Sequence, residues 1–169
     1  MDKNIRYQEL FEKVRLYLEG ETDPIARMAE IAAIIHEGMG FFWTGFYRVI
    51  DNQLVLGPFQ GPAACLRIAY GRGVCGTAWK ERRSIVVPDV EHFPGHIACS
   101  SASRSEIVVP VFAKTTADSN HGIADGTKRC ESQDDPGRTV TAVLDIDSDR
   151  LATFDADDAK WLELIVSIL

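Results

Sequence analysis

The densest run of reactive side chains is Pro88-Asp89-Val90-Glu91-His92-Phe93-Pro94-Gly95-His96-Ile97-Ala98-Cys99-Ser100-Ser101-Ala102-Ser103-Arg104-Ser105-Glu106. Its prolines and Gly95 predict a loop, and loops held by a rigid scaffold often carry reactive groups. His92, His96 or Arg104 could favour the thiolate of Cys99, the form of cysteine that acts as a nucleophile. Local chemistry leaves open the plainer alternative of an inert, partly buried cysteine in a polar loop. Zinc is the other competitor, since His92, His96 and Cys99 have spacings that could collect it. Against that, the chain has no Cys-x-x-Cys pair, and Pro94 and Gly95 prevent one helix face from presenting both histidines. No metal is expected.

Cys65 follows Gly61-Pro62-Ala63-Ala64, a small-residue segment suited to carrying a thiol toward a partner. Cys75 lies in Gly71-Arg72-Gly73-Val74-Cys75-Gly76, a glycine-rich turn leading toward a helix start. That run lacks the Lys-Ser/Thr ending of a phosphate-binding loop and the spacing of a dinucleotide fingerprint. A helix start favours thiolate at Cys75, while a small buried residue where helix meets sheet is the plainer reading.

Two further clusters have ligand-binding chemistry. Even spacing puts Trp43 and Tyr47 on one strand face, and Asp145 and Asp147 share a face near a strand end. Core packing and a solvated edge would account for each pair separately. Together they suit a small cationic or zwitterionic ligand, because aromatic faces accept ammonium or thioether groups and carboxylates bind ammonium.

The elements that would position these residues follow from periodicity. Tyr7, Leu10, Phe11, Val14, Tyr17 and Leu18 form one helical stripe, broken by Gly20. Asp23 is an N-cap before Pro24, and Ile25, Met28, Ile31, Ala32 and Ile35 form a second stripe ending near Gly38 and Gly40. Residues 41–50 and 53–58 read as a hairpin about Asp51-Asn52. A short helix is expected over about 77–82, with strands at 85–87, 106–112 and 140–146. Pro88 and Pro110 should each mark a strand end, bulge or edge. Asp155 and Asp158 resemble an acidic capping box opening a last helix, whose stripe is Trp161, Leu162, Ile165, Ile168 and Leu169. Helices at both ends of a strand-rich middle, without βαβ alternation, predict an α+β fold. Segment 114–138 is polar and nearly devoid of large apolar residues, so it reads as an insertion between two strands. Cys130, inside it, is the cysteine least suited to chemistry.

The 169 residues suffice for one domain and one substantial core. A net charge of -7 argues against binding nucleic acid, because no cationic surplus exists to displace counterions. The apolar runs near 31–35 and 107–112 are far shorter than the roughly 20 residues that span a bilayer, so no membrane contact is expected. Residues 1–4 open an amphipathic pattern rather than a basic-then-apolar leader, and the expected location is the cytoplasm. In such a reducing compartment the four cysteines are thiols whose pairing would be transient and chemical.

Several blocks closely resemble the free methionine-(R)-sulfoxide reductases, a family of single GAF-domain enzymes. They are Gly73-Val74-Cys75-Gly76-Thr77-Ala78, Val86-Val87-Pro88-Asp89-Val90, Phe93-Pro94-Gly95-His96-Ile97-Ala98-Cys99, Ser101-Ala102-Ser103-Arg104-Ser105-Glu106-Ile107-Val108-Val109-Pro110 and Leu144-Asp145-Ile146-Asp147-Ser148. The resemblance runs from about residue 43 to 158 and is interrupted by the insertion at 114–138, where family members have a shorter connection. It implies one GAF-like domain over 1–169, with a central antiparallel sheet and the N-terminal and C-terminal helices packed on one face. It also implies that Cys99 attacks the sulfoxide, Cys65 resolves the sulfenic acid to a disulfide, and Cys75 is an accessory thiol. A thioredoxin-like reductant would reopen the disulfide. Trp43 and Tyr47 match the family's aromatic pocket, and Glu106, Asp145 and Asp147 its pocket carboxylates. No cofactor is implied, and a homodimer is an implied state. The rival class is a catalytically silent GAF module that binds a small ligand, opposed by the presence of all three family cysteines.

Overall fold

The computed structural model describes residues 2–97, 101–114 and 138–169, so Cys99 and Cys130 lie outside the described residues, as does most of the insertion. Two helices open the chain. In α1 (Lys3–Tyr17) the Asp2 carboxylate accepts from the Asn4 N–H, and Tyr7, Leu10 and Val14 are buried. Tyr17, expected on that stripe, is instead exposed. Helix α2 (Pro24–Met39) is capped by Asp23, which accepts from the Ile25 and Ala26 N–H groups, and it ends at Gly40 in the left-handed region.

Strands β1 (Trp43–Ile50) and β2 (Gln53–Gln60) form the expected hairpin. Asp51 and Asn52 both take positive φ, the geometry that matches strand twist in a two-residue turn. The pairing shifts by one residue between Gly45 and Tyr47, so Gly57 and Pro58 bulge opposite Phe46 and β2 runs past the expected end. Next come β3 (Arg67–Ala69), α3 (Gly73–Glu81), β4 (Ile85–Val87) and a 3₁₀ turn (Val90–His92). Strands β5 (Ser105–Phe112) and β6 (Val140–Ser148) and helix α4 (Ala156–Val166) complete the described chain. Asp155 and Asp158 form the reciprocal capping box at the start of α4.

The six strands pair antiparallel throughout in the order β3-β2-β1-β6-β5-β4. Alternation gives the sheet two unlike faces. Phe46, Ile107, Val109, Val111, Ala142, Leu144 and Ile146 face α1, α2 and α4, making the larger core. Truncating the fully buried Ile107, Leu144 or Ile146 to alanine costs about 2–5 kcal/mol. Trp43, Tyr47, Val108 and Val143 face the other way, toward α3.

Two differences from the sequence reading bear on the site. Helix α3 begins at Gly73 rather than near residue 77, which places Cys75 in its first turn. The glycines there serve close approach rather than delaying the helix: a Cβ at Gly76 would lie 2.5 Å from the Ala69 carbonyl oxygen. Strand β3 was not anticipated, being three residues long and paired on one side only. The prolines behave as expected. Pro88 follows β4, and Pro110 lies beyond the three β5 residues that pair with β4, next to a register shift at Val111.

Candidate active site

Register assembles the site. Asp147 on β6 is flanked by Trp43 on β1 and by Glu106 on β5, forming one row across three strands. Two residues back, Asp145 is flanked by Gly45 and Val108, and Tyr47 stands opposite Val143 in the row after that. All five pocket residues expected from the sequence therefore emerge on one face of the sheet. They line a cavity roofed by Gly73, Val74 and Cys75 of α3, Ala63 and Ala64 of the β2–β3 connection, and His96 and Ile97.

The aromatic wall is a stack. Trp43 and Tyr47 have ring centroids 6.0 Å apart, and Phe59 backs Trp43 at 5.4 Å. Gly45 makes room for it, since a Cβ there would lie 2.4 Å from the Phe59 Cβ and 2.5 Å from the Trp43 ring. The wall also tethers the segment that carries Cys65. Trp43 Nε1 donates to the Pro62 carbonyl at 3.0 Å, and the Tyr47 hydroxyl donates to the Cys65 carbonyl at 3.0 Å. Cys65 is disulfide-bonded.

The acidic half of the cavity is crowded. Glu106 and Asp145 are buried, and burial together with the neighbouring carboxylates pushes both well above the usual carboxylate range. Asp147 is pushed up by burial to about 6, against an opposing hydrogen bond from the Ser103 side chain. The ligating atoms of Cys75, Glu106 and Asp145 lie within 4.8 Å of one another. Two ionised carboxylates at that separation repel by about 3 kcal/mol at an effective dielectric of roughly 20. The cavity therefore retains protons at neutral pH, and a cation would reverse that repulsion.

Cys75 is free and buried, with its Sγ 4.0 Å from Glu106 Oε1. Burial and the adjacent acids push its thiol well above the ordinary range, so the helix start does not make it a thiolate. Of the three cationic groups near Cys99 in sequence, only His96 lines the cavity, with Nε2 3.9 Å from Glu106 Oε2. Burial lowers its pKa, which favours the neutral imidazole. His92 is exposed and bound to Asp89, and Arg104 reaches Glu91. The zinc set of His92, His96 and Cys99 thus loses His92.

Sequence reading missed Gly45, Phe59 and Ser103. A glycine in the middle of an apolar strand was the available signal for Gly45. Nothing local marks Ser103 as a partner of Asp147, because β6 supplies that contact from about 44 residues away.

The GAF domain family matches residues 23–169. GAF domain-containing protein A of Dictyostelium discoideum is 44% identical to the chain, covering 99% of it and 92% of the relative. The free methionine-R-sulfoxide reductase of Escherichia coli is 37% identical, covering 100% of this chain and 89% of its own. Among solved structures, the free methionine-R-sulfoxide reductase of Neisseria meningitidis in complex with its substrate superposes with a TM-score of 0.83 at 42% identity, covering 99% of this chain and 88% of that one. With this likeness running along nearly its whole length, the chain belongs to the GAF-domain family, among its free methionine-(R)-sulfoxide reductases.

Proposed function

We propose that the protein reduces free L-methionine-(R)-S-oxide to L-methionine, with Cys99 attacking, Cys65 resolving and a thioredoxin-type dithiol recycling the disulfide in the cytoplasm. One observation carries the substrate class: Glu106, Asp145 and Asp147 converge on a roofed cavity beside the stacked Trp43 and Tyr47. A carboxylate takes the ammonium group, and the aromatic wall takes the methyl and methylene groups. A peptide-bonded methionine lacks that ammonium charge and would leave buried acids without a partner, which selects for the free amino acid.

Protonated acid is what the chemistry requires. The Cys99 sulfur attacks the sulfoxide sulfur, and a carboxylic acid hydrogen-bonds or protonates the departing oxygen. Oxygen passes to Cys99 as a sulfenic acid while methionine leaves as the thioether. The Cys65 thiol then attacks the Cys99 sulfur and expels water, forming the disulfide. The reductant dithiol reopens it and is itself oxidised. The sum is sulfoxide plus dithiol giving methionine, disulfide and water. Burial of Glu106 and Asp145 supports their role as the neutral donors. Asp147, which titrates near 6, is the acid best suited to be ionised against the ammonium at neutral pH.

The deciding experiment is consumption of free methionine-(R)-sulfoxide by purified protein with dithiothreitol. Turnover supports the reading, and its absence with a correctly folded protein overturns it in favour of a ligand-binding module. Cys99→Ser abolishes turnover, Cys65→Ser yields one methionine per chain and stalls with thioredoxin, and Cys130→Ser leaves the rate unchanged.

A further inference from the structure

We propose that the acidic end of the cavity, between the sheet and α3, is a binding site for a thiophilic divalent cation of the zinc class, held by Cys75, Glu106 and Asp145 and occupied in competition with the amino-acid ligand. This rests on the pocket described above, and on the proposed function only for the identity of the competing ligand.

Three features point to the ion. The first is the donor set. One thiol and two carboxylates, each from a different element, meet with their ligating atoms within 4.8 Å of one another. A tetrahedral zinc ion, with Zn–S of roughly 2.3 Å and Zn–O of roughly 2.0–2.2 Å, needs its ligand atoms about 3.3–3.7 Å apart. Cys75 Sγ and Glu106 Oε1 are already 4.0 Å apart. Closing the set therefore takes side-chain adjustments of an ångström or less. Secondly, Asp145 Oδ1 is buried and has no hydrogen-bond partner among the described residues. An orphaned buried carboxylate oxygen facing a cavity is an acceptor awaiting a cation or donor. The third feature is His96, which lines the same cavity with Nε2 3.9 Å from the outer oxygen of Glu106. Its imidazole can orient the ligating carboxylate or complete the tetrahedron, the usual partnership around a bound metal.

Sulfur selects the class of ion. Calcium and magnesium prefer all-oxygen shells of six or more ligands, which one thiol and two carboxylates in a tight roofed space do not provide. Zinc, cobalt and cadmium accept mixed sulfur, oxygen and nitrogen sets of four. Cys75, Glu106 and Asp145 coordinate after giving up their protons to the buffer, so the ion and three anionic ligands leave one net negative charge. An ion there consumes the acids that an ammonium group would use.

Cobalt(II) tests this with a reporter of its own. Reduced protein, prepared with a phosphine rather than a thiol reductant, is titrated with cobalt(II) alone and then with zinc. The expected result is one equivalent per chain, a near-ultraviolet sulfur-to-cobalt charge-transfer band, and its loss on adding zinc. Cys75→Ser removes the band, and Asp145→Asn weakens binding by about tenfold or more. Cys65→Ser and Cys130→Ser retain the band. Added free methionine raises the apparent dissociation constant for cobalt. A band that survives Cys75→Ser and Asp145→Asn, or stoichiometric binding lost in Cys65→Ser instead, overturns the assignment. So does the absence of cobalt binding. Should Cys75→Ser fail to fold by circular dichroism, Glu106→Gln in an otherwise native protein carries the same test. Metal binding is read without sulfoxide or turnover, so failure of the reductase reading would leave this result standing, and the reverse also holds.

Discussion

The Tyr47 hydroxyl, set in the aromatic wall of the cavity, donates a 3.0 Å hydrogen bond to the main-chain carbonyl of Cys65. A residue of the aromatic wall is thereby joined directly to the segment that carries Cys65, the thiol proposed to resolve the sulfenic acid. Trp43 repeats the arrangement two rows away through the Pro62 carbonyl. These two donors hold the Cys65 segment against the wall.

Tyr47→Phe keeps the ring stack and deletes the tether. The hydrogen bond contributes about 1 kcal/mol to stability, and the stranded carbonyl is close enough to the surface to find water. The expected result is a small loss in denaturant midpoint, a preserved burst of one methionine per chain, and slower disulfide formation. Rapid-quench analysis with thiol trapping separates the two steps. Equal slowing of both would show that the hydroxyl acts in the first step instead.

The acids predict an unusual pH dependence of stability. Asp147 has a folded-state pKa of about 6, above its ordinary value of 3.8. The folded state therefore holds the proton more tightly than the unfolded chain. Its favourable contribution is complete below about pH 4 and is lost as pH rises through 6, by up to about 3 kcal/mol. Glu106 and Asp145 shift in the same direction. Asp147→Asn should raise the denaturant midpoint at pH 8 and flatten its fall between pH 4 and pH 7. Urea unfolding across that range, with the disulfide reduced, measures both.

Much of this arrangement was legible in the sequence because it rests on period-two alternation. Trp43 with Tyr47 and Asp145 with Asp147 had to share faces once their strands were recognised. The caps at Asp23 and Asp155 were equally legible, being decided within three residues. What alternation cannot reveal is which strand lies beside which. The row Trp43–Asp147–Glu106 depends on β6 inserting between β1 and β5, a pairing fixed by the larger core. The start of α3 was misplaced because its glycines read as helix breakers, whereas they permit contact with Ala69 and Gly71. Roles for Cys65, Cys75 and Cys99 came from resemblance, since local chemistry alone left Cys75 and Cys99 with plainer alternatives and gave Cys65 no specific task.

Cys75 should be the least reactive of the described thiols. It is 3% exposed, and burial with the nearby Asp145 and Glu106 holds it as a neutral thiol. Alkylation of the reduced native protein with iodoacetamide at pH 7.5 (roughly one unit below an ordinary cysteine pKa) should leave Cys75 largely unmodified. Unfolding in urea should expose it to reaction at an ordinary rate. Peptide mass mapping reads each site, and rapid native labelling of Cys75 would contradict the closed cavity.

Gly45 tests whether the wall is needed as built. It sits between Trp43 and Tyr47 on the cavity face and is buried. A methyl group there would meet both Phe59 and the Trp43 ring at distances that no relaxed structure tolerates. Neither neighbour is the free end of a flexible chain, since the Phe59 contact is its Cβ and the Trp43 ring is stacked on two sides. Trp43 must therefore swing away, breaking its hydrogen bond to Pro62. Gly45→Ala should cost about 1–3 kcal/mol of stability through overpacking. It should raise KM for the free sulfoxide more than it lowers kcat, because the wall is proposed to hold substrate and transition state alike while the reacting thiols are carried on other segments. Steady-state kinetics combined with circular dichroism distinguishes this from general unfolding, which would lower the active fraction and leave KM unchanged.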